Sequence, residues 1–261
     1  MRSSLIHYLF LFIVLVPGSL VAQDFLSYNR ASLVVGQDTL PYRIMFPENL
    51  EPDRKYPLIL FLHGSGERGN DNEAQLTHGA DLFMRADVRV NYPAFVVFPQ
   101  CRKGTKWNNS KWQTGPLARN YTFPKDIEPN LYQDLLMGLM ERLETSLPLD
   151  KERLYVGGLS MGGMGTFEIV QRNPGKFAAA FAICGGAHPS TAGRLKGPAW
   201  WVFHGQADNV VPPVHSEEMV KAMRDQGIDV RFSLYPDVQH NSWTQAFAEP
   251  DLLPWLFSHK Q

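Results

Sequence analysis

A serine lies at the centre of the pentapeptide Gly158-Leu159-Ser160-Met161-Gly162, which directly follows an apolar run at residues 154–156. The pattern Gly-x-Ser-x-Gly between a strand and a helix is typical of a tight turn that lifts a serine above the edge of a sheet. Glycines are needed on both sides because side chains there would collide with neighbouring backbone. The sequence therefore predicts an exposed Ser160 hydroxyl that acts as a nucleophile. The Met161 amide, at the start of the helix, is predicted to face developing negative charge.

Two loops that follow predicted strands carry a candidate base and a candidate acid. A serine hydroxyl is a weak nucleophile near neutral pH and needs a base to take its proton. His240 follows a strand predicted at residues 230–234, and Asp208 follows one predicted at 199–203. We predict that His240 accepts the serine proton and returns it to the leaving alcohol, while Asp208 fixes the imidazole tautomer and stabilises the imidazolium. The chain order serine, acid, histidine differs from the orders in chymotrypsin and subtilisin.

Other titratable residues could fill these two roles. Four further histidines are alternatives for the base: His63, His188, His204 and His215. His63 and His204 each precede a glycine in a turn, where a structural role is the simpler interpretation. His188 comes before every candidate acid in the chain, and His215 opens a predicted helix. Asp237 and Glu217 are alternatives for the acid, although a solvated surface position suits both. His240 with Asp208 is the favoured pair.

A glycine-rich loop follows the first central strand and has the sequence His63-Gly64-Ser65-Gly66-Glu67-Arg68-Gly69. Glycines in such a loop let a backbone amide come close to a reacting carbonyl oxygen. We expect a second oxyanion donor here, besides Met161. The amide of Ser65 is preferred, and that of Gly66 is the alternative.

Apolar runs of strand length alternate with helical patterns along the chain. Strands are predicted at residues 57–62, 94–98, 154–157, 178–183, 199–203 and 230–234, and helices at 131–145, 164–172 and 216–226. Strands that are apolar on both faces belong in a parallel sheet covered by helices, and residues 31–46 are predicted to form an antiparallel hairpin at its edge. The expected fold is a single α/β domain with a mostly parallel, doubly wound sheet and helices on both faces, whose active groups gather at the carboxyl ends of the strands.

The N-terminus and the composition bear on the compartment and the partners. Residues 1–22 combine Arg2, an apolar run at 5–16 and small residues before Gln23. This pattern is typical of a cleavable secretory signal, since a membrane-spanning helix needs ~20 apolar residues. We therefore expect a catalytic domain at residues 23–261 that is secreted or periplasmic and is not inserted in a membrane. The formal net charge of −1, without a basic stripe, argues against nucleic acid as a partner.

Cys101 and Cys184 are the two cysteines, and each follows a different core strand. With two strands between them, at ~4.8 Å per strand, their separation of ~14 Å exceeds the ~7 Å Cα limit of a disulfide. We predict that they do not bridge. The sequence has no cluster of histidine, cysteine and carboxylate residues with metal-ligand spacing, so neither a metal nor another cofactor is expected.

Taken together, these motifs resemble those of small secreted α/β-hydrolases in the phospholipase/carboxylesterase or feruloyl-esterase-like grouping. The resemblance covers nearly the whole of residues 23–261. The stretches that carry it are His63-Gly64-Ser65-Gly66-Glu67-Arg68-Gly69, Phe98-Pro99-Gln100-Cys101 with Trp107 following, residues 150–165, His204-Gly205-Gln206-Ala207-Asp208, and His240-Asn241-Ser242-Trp243. It implies an α/β-hydrolase fold and a catalytic triad of Ser160, Asp208 and His240. The grouping includes relatives of prolyl oligopeptidases, but nothing in this sequence resembles their propeller domain.

These features predict a secreted serine esterase that hydrolyses small-molecule or glycan-linked carboxylic esters through an acyl-enzyme. Three alternatives stay open. A serine peptidase would use the same triad on amides, and a lysophospholipase-like hydrolase would use it on lipids. A non-catalytic carbohydrate-binding protein would carry the triad as a relic.

Residues 102–130 are the expected determinant of substrate choice. The segment lacks an apolar period and is longer than usual connections, which in a compact domain indicates a functional loop or disorder. Its aromatic residues disfavour disorder, and a solvated surface loop is the alternative interpretation. Its aromatic and basic residues suit a sugar or phenolic ester and give weaker support to an anionic one. We expect Trp107 to form a wall of the substrate pocket and Trp243 to be a second substrate contact.

Overall fold

The computed structural model describes residues 25–115 and 119–261, and the predicted signal at residues 1–22 lies outside them. The strands are β1 (Tyr28–Val35), β2 (Asp38–Met45), β3 (Tyr56–Leu62), β4 (Phe95–Pro99), β5 (Lys111–Thr114), β6 (Arg119–Thr122), β7 (Leu149–Leu159), β8 (Ala179–Ile183), β9 (Ala199–Gly205) and β10 (Val230–Tyr235). The helices are α1 (Ala80–Met84), α2 (Ala86–Asn91), α3 (Leu131–Ser146), α4 (Met161–Arg172), α5 (Val214–Asp225), α6 (Trp243–Ala248) and α7 (Leu252–Ser258). In the described part of the chain, none of the helices has the length and apolarity needed to cross a bilayer.

One sheet contains eight of these strands, in the order β1-β2-β4-β3-β7-β8-β9-β10. From β4 to β10 in that order the strands run parallel, whereas β2 pairs antiparallel with both β1 and β4. Every residue of β3 is buried, as expected of a strand with helices on both of its faces. The predicted fold, a mostly parallel α/β sheet with an antiparallel hairpin at one edge, is confirmed.

Two apolar layers cover the two faces of the sheet. Along β3, Leu58, Leu60 and Leu62 belong to the layer that includes α3 and α4, whereas Ile59 and Phe61 belong to the opposite layer. The alternation follows from the two-residue period of a strand. Burial of each such side chain contributes about 1.5–3 kcal/mol. These layers give the sheet a rigid frame, and the loops at its carboxyl edge are attached to that frame.

The ends of the longer helices have local causes. The Asn130 side chain caps α3 by accepting hydrogen bonds from the amides of Tyr132 (3.0 Å) and Gln133 (3.1 Å). α5 ends before Gly227, whose φ of +72° favours glycine. α4 begins at Met161, three residues before the predicted start, because the turn that precedes it leads directly into the helix.

Several short elements escape the sequence pattern. Within residues 102–130, β5 and β6 pair antiparallel as a separate hairpin. Each of its strands has only four residues, all exposed in β5 and two of them exposed in β6, so neither shows the apolar alternation of a core strand. The helices α1, α2, α6 and α7 have five to seven residues each and are too short to show an amphipathic period.

The two cysteines lie after strands that are not neighbours. β3 and β7 separate β4, which precedes Cys101, from β8, which precedes Cys184. Both residues are buried and neither is in a disulfide. The prediction that they do not bridge is confirmed.

We expect dithionitrobenzoate to titrate two thiols per chain in denaturant, since both cysteines are free. In the native state the reaction should be slow, because burial raises the pKa of the Cys101 thiol to about 12 and leaves little thiolate. A count of zero in denaturant would contradict the free-thiol state. Fast labelling of the native protein would contradict the burial.

Candidate active site

Ser160 occupies the turn between β7 and α4. Its φ of +54° and ψ of −116° lie in a region that residues other than glycine rarely adopt. The turn is held by a hydrogen bond from the Ser160 amide to the Ile183 carbonyl oxygen (2.8 Å) and by one from the Met164 amide to the Ser160 carbonyl oxygen (3.0 Å). The residue is only 8% exposed. It lies at the floor of a cleft and is less exposed than predicted, because loops and the β5–β6 hairpin surround it.

Glycines around the turn allow direct contact between backbones. A Cβ atom at Gly162 would overlap the carbonyl oxygen of Leu62 at the end of β3, and one at Gly158 would overlap the carbonyl oxygen of Gly162. A Cβ at Gly163 would lie 2.6 Å from the Ile183 carbonyl oxygen of β8. The turn therefore packs against both neighbouring strands at a distance that only glycine allows.

His240 connects Ser160 with Asp208 through two hydrogen bonds. Its Nε2 lies 3.0 Å from the Ser160 Oγ, and its Nδ1 lies 2.7 Å from the Asp208 Oδ2. Because an ionised carboxylate only accepts, Nδ1 donates to it and Nε2 is left free to accept the hydroxyl proton. The three side chains follow β7, β9 and β10, so they meet at the carboxyl edge of the sheet, where the sequence places them.

Asp208 is buried and receives several hydrogen bonds. Its Oδ1 accepts from the amides of Val210 (2.8 Å) and Val211 (2.9 Å). Burial raises the pKa of Asp208, but hydrogen bonds from His204 and His240, with those of the amides, outweigh burial and hold the pKa well below its ordinary value. The carboxylate therefore stays ionised near neutral pH and can orient the imidazole of His240.

His204 is a second histidine on the same carboxylate. Its Nε2 lies 3.2 Å from the Asp208 Oδ2 and 2.9 Å from the Val211 carbonyl oxygen, while its Nδ1 lies 2.7 Å from the Ser216 Oγ. The sequence predicts only a structural role for this histidine. Its position four residues before Asp208, with Gly205 between them, is the signal that could have linked it to the acid. In the structure it is fully buried and positions Asp208.

The remaining alternatives have other partners. The Nδ1 of His188 accepts a hydrogen bond from the Ser190 amide (3.2 Å). The ring of His215 packs edge-on against aromatic rings of the β5–β6 hairpin and the residues after it. Asp237 and Glu217 are exposed on the surface, as their solvated interpretation predicts. Ser160 hydrogen-bonds to none of these groups and pairs with His240.

His63 anchors the loop that carries the candidate oxyanion donor. Its Nδ1 donates to the Gly64 carbonyl oxygen (2.6 Å), and its Nε2 accepts from the Cys101 amide (3.0 Å). Burial lowers the pKa of His63 to about 4, so the ring is neutral near neutral pH. The histidine thus joins the loop after β3 to the loop after β4.

Ser65 lines the cleft together with Ser160 and Met161. A Cβ at Gly66 would meet no atom within 4 Å, so this glycine faces open space. Met161 is the first residue of α4, where backbone amides have no partner inside the helix. The choice between the Ser65 amide and the Gly66 amide as the second donor stays a prediction.

Trp107 does not form a wall of the cleft, which corrects the prediction. It is fully buried, and its Nε1 donates to the carbonyl oxygen of His63 (3.1 Å). Its ring packs edge-on against His63 and Tyr132, and a Cβ at Gly165 of α4 would lie 2.5 Å from the Trp107 Cβ. The interior accommodates both the apolar bulk and the single N–H donor of the indole. Trp107 therefore braces the loop at residues 63–69, named here the oxyanion loop for its candidate donor, against α3 and α4.

Trp243 packs against the catalytic candidate His240, with ring centroids 5.5 Å apart, and against His78 at 4.9 Å. It is half-buried and is not among the described residues that line the cleft. Its contact supports the imidazole from the side, and substrate contact by Trp243 stays a prediction.

The cleft above Ser160 draws its walls from three segments of the chain. Its other lining residues are Ser65, Arg68, Lys106, Ser110, Trp112, Arg119, Tyr121, Met161 and Met164. The segment 102–130 thus contributes to the rim, but through Trp112 and Tyr121 of the hairpin and not through Trp107. The composition of the segment does not distinguish these two from its other aromatic residues, because their place opposite one another on two short strands is visible only in the pairing of β5 with β6.

Cys184, Asp208 and His240 have potential metal-ligand atoms within 4.8 Å of one another. Metals bind the thiolate form of cysteine, but burial raises the pKa of the Cys184 thiol well above its ordinary value. The Nδ1 of His240 already donates to Asp208. These three residues are therefore poorly suited to hold a metal ion.

We expect Gly162→Ala to lower the free energy of unfolding by several kcal/mol, because the new methyl group would overlap backbone that cannot move independently. Gly66→Ala is the matched control, with no atom near its added methyl group, and should change stability by less than about 0.5 kcal/mol. Urea unfolding of both variants provides the measurement. Equal effects would refute the close backbone contact.

A second pair of variants separates the two tryptophans. Trp107→Phe keeps an aromatic ring but loses the hydrogen bond to the His63 carbonyl oxygen, so both Tm and the kcat for p-nitrophenyl acetate should fall. Trp112→Ala, at the exposed rim, should leave Tm within about 2 °C because exposed substitutions cost little. If Trp107→Phe raised KM for bulky esters alone, Trp107 would be a pocket wall after all.

The family described as “Putative esterase” matches residues 36–255 of this chain. The chain is 29% identical over 181 residues to a bifunctional acetylxylan esterase/xylanase of Neocallimastix patriciarum, and the match covers 69% of this chain and 23% of that protein. The chain therefore spans less than a quarter of the bifunctional protein. It is also 24% identical over 193 residues to lysophospholipase-like protein 1 of Mus musculus, with coverage of 70% and 79%.

Solved structures share the fold. A thermostable esterase superimposes with a TM-score of 0.80 at 31% identity, over 90% of this chain and 64% of that chain. A ferulic acid esterase superimposes with a TM-score of 0.64 at 19% identity, over 88% and 96%, and this likeness shows the fold alone. Since the family match extends over most of the α/β domain and includes Ser160, Asp208 and His240, the chain belongs to this esterase family.

Proposed function

We propose that the chain hydrolyses carboxylic esters through an acyl-enzyme, with Ser160 as nucleophile, His240 as general base and acid, and Asp208 as the group that orients His240. The hydrogen-bonded line from Asp208 Oδ2 through His240 to Ser160 Oγ, at 2.7 and 3.0 Å, carries the proposal. This combination of groups is known to activate serine in hydrolases on unrelated folds.

The reaction has two halves. Ser160 Oγ attacks the ester carbonyl carbon while His240 Nε2 takes the hydroxyl proton, and the amides of Met161 and Ser65 stabilise the oxyanion. When the tetrahedral intermediate collapses, the ester C–O bond breaks and His240 gives its proton to the leaving alcohol. Water then attacks the acyl-enzyme with His240 as base, which releases the acid and restores Ser160.

For the substrate we propose a small-molecule or glycan-linked ester with a sugar or phenolic part. Trp112 and Tyr121 support this, since aromatic faces at a cleft rim pack well on flat or ring-shaped groups. The names of the acetylxylan esterase and ferulic acid esterase relatives agree with it. We also propose secretion or export to the periplasm, on the pattern of residues 1–22.

The alternatives have weaker support. A dipeptidyl aminopeptidase IV from Bacteroides ovatus superimposes with a TM-score of 0.62 at 18% identity, which concerns the fold and not peptidase activity. The cleft lining is largely polar and charged, so it offers no long apolar channel for a lipid acyl chain. The intact line of three side chains disfavours a non-catalytic binding role.

Ser160→Ala should lower kcat for p-nitrophenyl acetate by about four to six orders of magnitude, because the nucleophile is lost while the fold is kept. It should also abolish labelling by a fluorophosphonate probe. The control Ser146→Ala changes a serine at the exposed end of α3 and should label normally. Retention of a tenth of the wild-type kcat in Ser160→Ala would assign the nucleophile elsewhere.

Asp208→Asn should lower kcat by about 10⁴-fold, since an amide next to Nδ1 favours the wrong imidazole tautomer. Circular dichroism should show an unchanged fold.

The wild-type enzyme should turn over p-nitrophenyl acetate faster than an alanyl-nitroanilide by a wide margin. The opposite order of these two rates would favour the peptidase alternative.

A further inference from the structure

Three basic side chains converge on the cleft beside Ser160. Arg68 comes from the loop after β3, Lys106 from the loop after β4, and Arg119 from β6 of the hairpin. All three are half-buried. Arg68 is distant in the chain from the other two cations, which lie in the segment 102–130, so the fold itself collects positive charge at this one place.

Neutral groups satisfy these cations only in part. Arg68 donates to the carbonyl oxygens of Ser65 (2.8 Å) and Thr105 (3.3 Å), and Lys106 donates to that of Ser110 (2.6 Å).

Arg119 lies over the ring of Trp112, with its guanidinium carbon 4.3 Å from the ring centre. Among residues 25–115 and 119–261, no carboxylate lies within 4 Å of a nitrogen of Arg68, Lys106 or Arg119.

Elsewhere on the molecule, half-buried arginines such as Arg153 and Arg172 have acidic partners, whereas the buried Arg43 donates to two backbone carbonyl oxygens. Arg153 pairs with Asp150 at 2.6 Å, and Arg172 pairs with Glu168 at 2.6 Å. The cleft differs because its described lining contains neither aspartate nor glutamate. Partly desolvated charges without a counter-ion are unfavourable, so this arrangement points to a negative charge supplied from outside the protein.

Electrostatic repulsion within the cleft supports the same conclusion. Burial and the positive charge of Arg68 both lower the pKa of the Lys106 ammonium. A bound anion between these side chains would relieve the repulsion and replace the water lost on burial. Because the cleft also holds Ser160, that anion would belong to the molecule whose ester bond is cleaved.

We propose that the substrate is an anionic ester, in which one small ring or one short chain separates a carboxylate or another acidic group from the scissile bond. The inference rests on the proposed esterase function and specifies its substrate class. The anion can reside on the acyl side or on the alcohol side, since both parts of an ester lie beside the serine during the reaction. Arg68, Lys106 and Arg119 would bind it, and Trp112 would pack against the intervening group.

Two matched pairs of esters test the proposal and separate the two sides. The acyl pair is p-nitrophenyl hydrogen adipate and the p-nitrophenyl ester of monomethyl adipate. The alcohol pair is 4-acetoxybenzoate and methyl 4-acetoxybenzoate. After correction for the rates of alkaline hydrolysis, kcat/KM for the anionic member of at least one pair should exceed that of the neutral member by about tenfold, the size of a charge-assisted hydrogen bond. Salt at 0.5 M should reduce this ratio.

Arg119→Gln should lower the ratio of anionic to neutral kcat/KM by about tenfold in the same pair. Arg102→Gln is the matched control, because it removes the same charge from the same segment. Arg102 is exposed and does not line the cleft. It should leave the ratio unchanged. A ratio near one in both pairs, or equal effects of the two variants, would overturn the proposal while leaving the esterase function in place.

A binding measurement makes the outcome independent of turnover. Calorimetry with the Ser160→Ala variant should show that the anionic member of at least one pair binds more tightly than its neutral partner, and addition of Arg119→Gln should remove the difference. If none of the four esters is hydrolysed by the wild-type chain, the proposed function fails, and this binding result alone decides whether the cleft is an anion site. Equal binding of the anionic and neutral members in both pairs would overturn it.

Discussion

Direct contact between backbones is the interaction on which the site depends. Gly162 touches the Leu62 carbonyl oxygen where β3 passes into the oxyanion loop, so the distance between the serine turn and that loop is set by atomic radii. A similar contact, between Gly205 and the Gln239 carbonyl oxygen, holds the acid loop against the histidine loop. Two contacts without side chains therefore fix the relative positions of Ser160, the proposed oxyanion donors and the proposed base. Flexible side chains at these points would leave the same distances variable.

Besides the glycine contacts, buried polar residues hold the side chains and loops of the site in place. His204 and two backbone amides hold the Asp208 carboxylate, which in turn holds His240. Trp107 holds the oxyanion loop through a single hydrogen bond to His63. Each of these supporting groups restricts the position of a residue or loop to which we assign a role in the reaction. We propose that substrate choice is decided at the rim, where the hairpin and two loops can change without disturbing the sheet. This division is common when a rigid scaffold presents variable loops.

The parts of the site that were predicted from sequence depend on local rules. The glycines at positions 158 and 162 are recognised within one pentapeptide around Ser160. A titratable residue in the loop after an apolar strand is likewise recognised from one short stretch of sequence, for Asp208 and for His240. The burial of Trp107 is not local, because it is decided by packing against His63, which is 44 residues away in the chain. The cationic cleft is equally non-local, since Arg68 and the two cations of segment 102–130 come together only in the folded chain. Short strands such as β5 escape for another reason, namely that four exposed residues carry too little hydrophobic pattern to be recognised.

The neutral, buried ring of His63 also makes the stability of the fold depend on pH. An unfolded chain would protonate this histidine near its ordinary pKa of 6.5, whereas the folded chain protonates it only near pH 4. Between these values the unfolded state binds a proton that the native state excludes, so a fall in pH from about 6.5 toward 4 shifts the equilibrium toward unfolding, and above that interval the contribution is constant. The side chain that holds the oxyanion loop in place thereby makes the stability of the whole domain sensitive to mild acid.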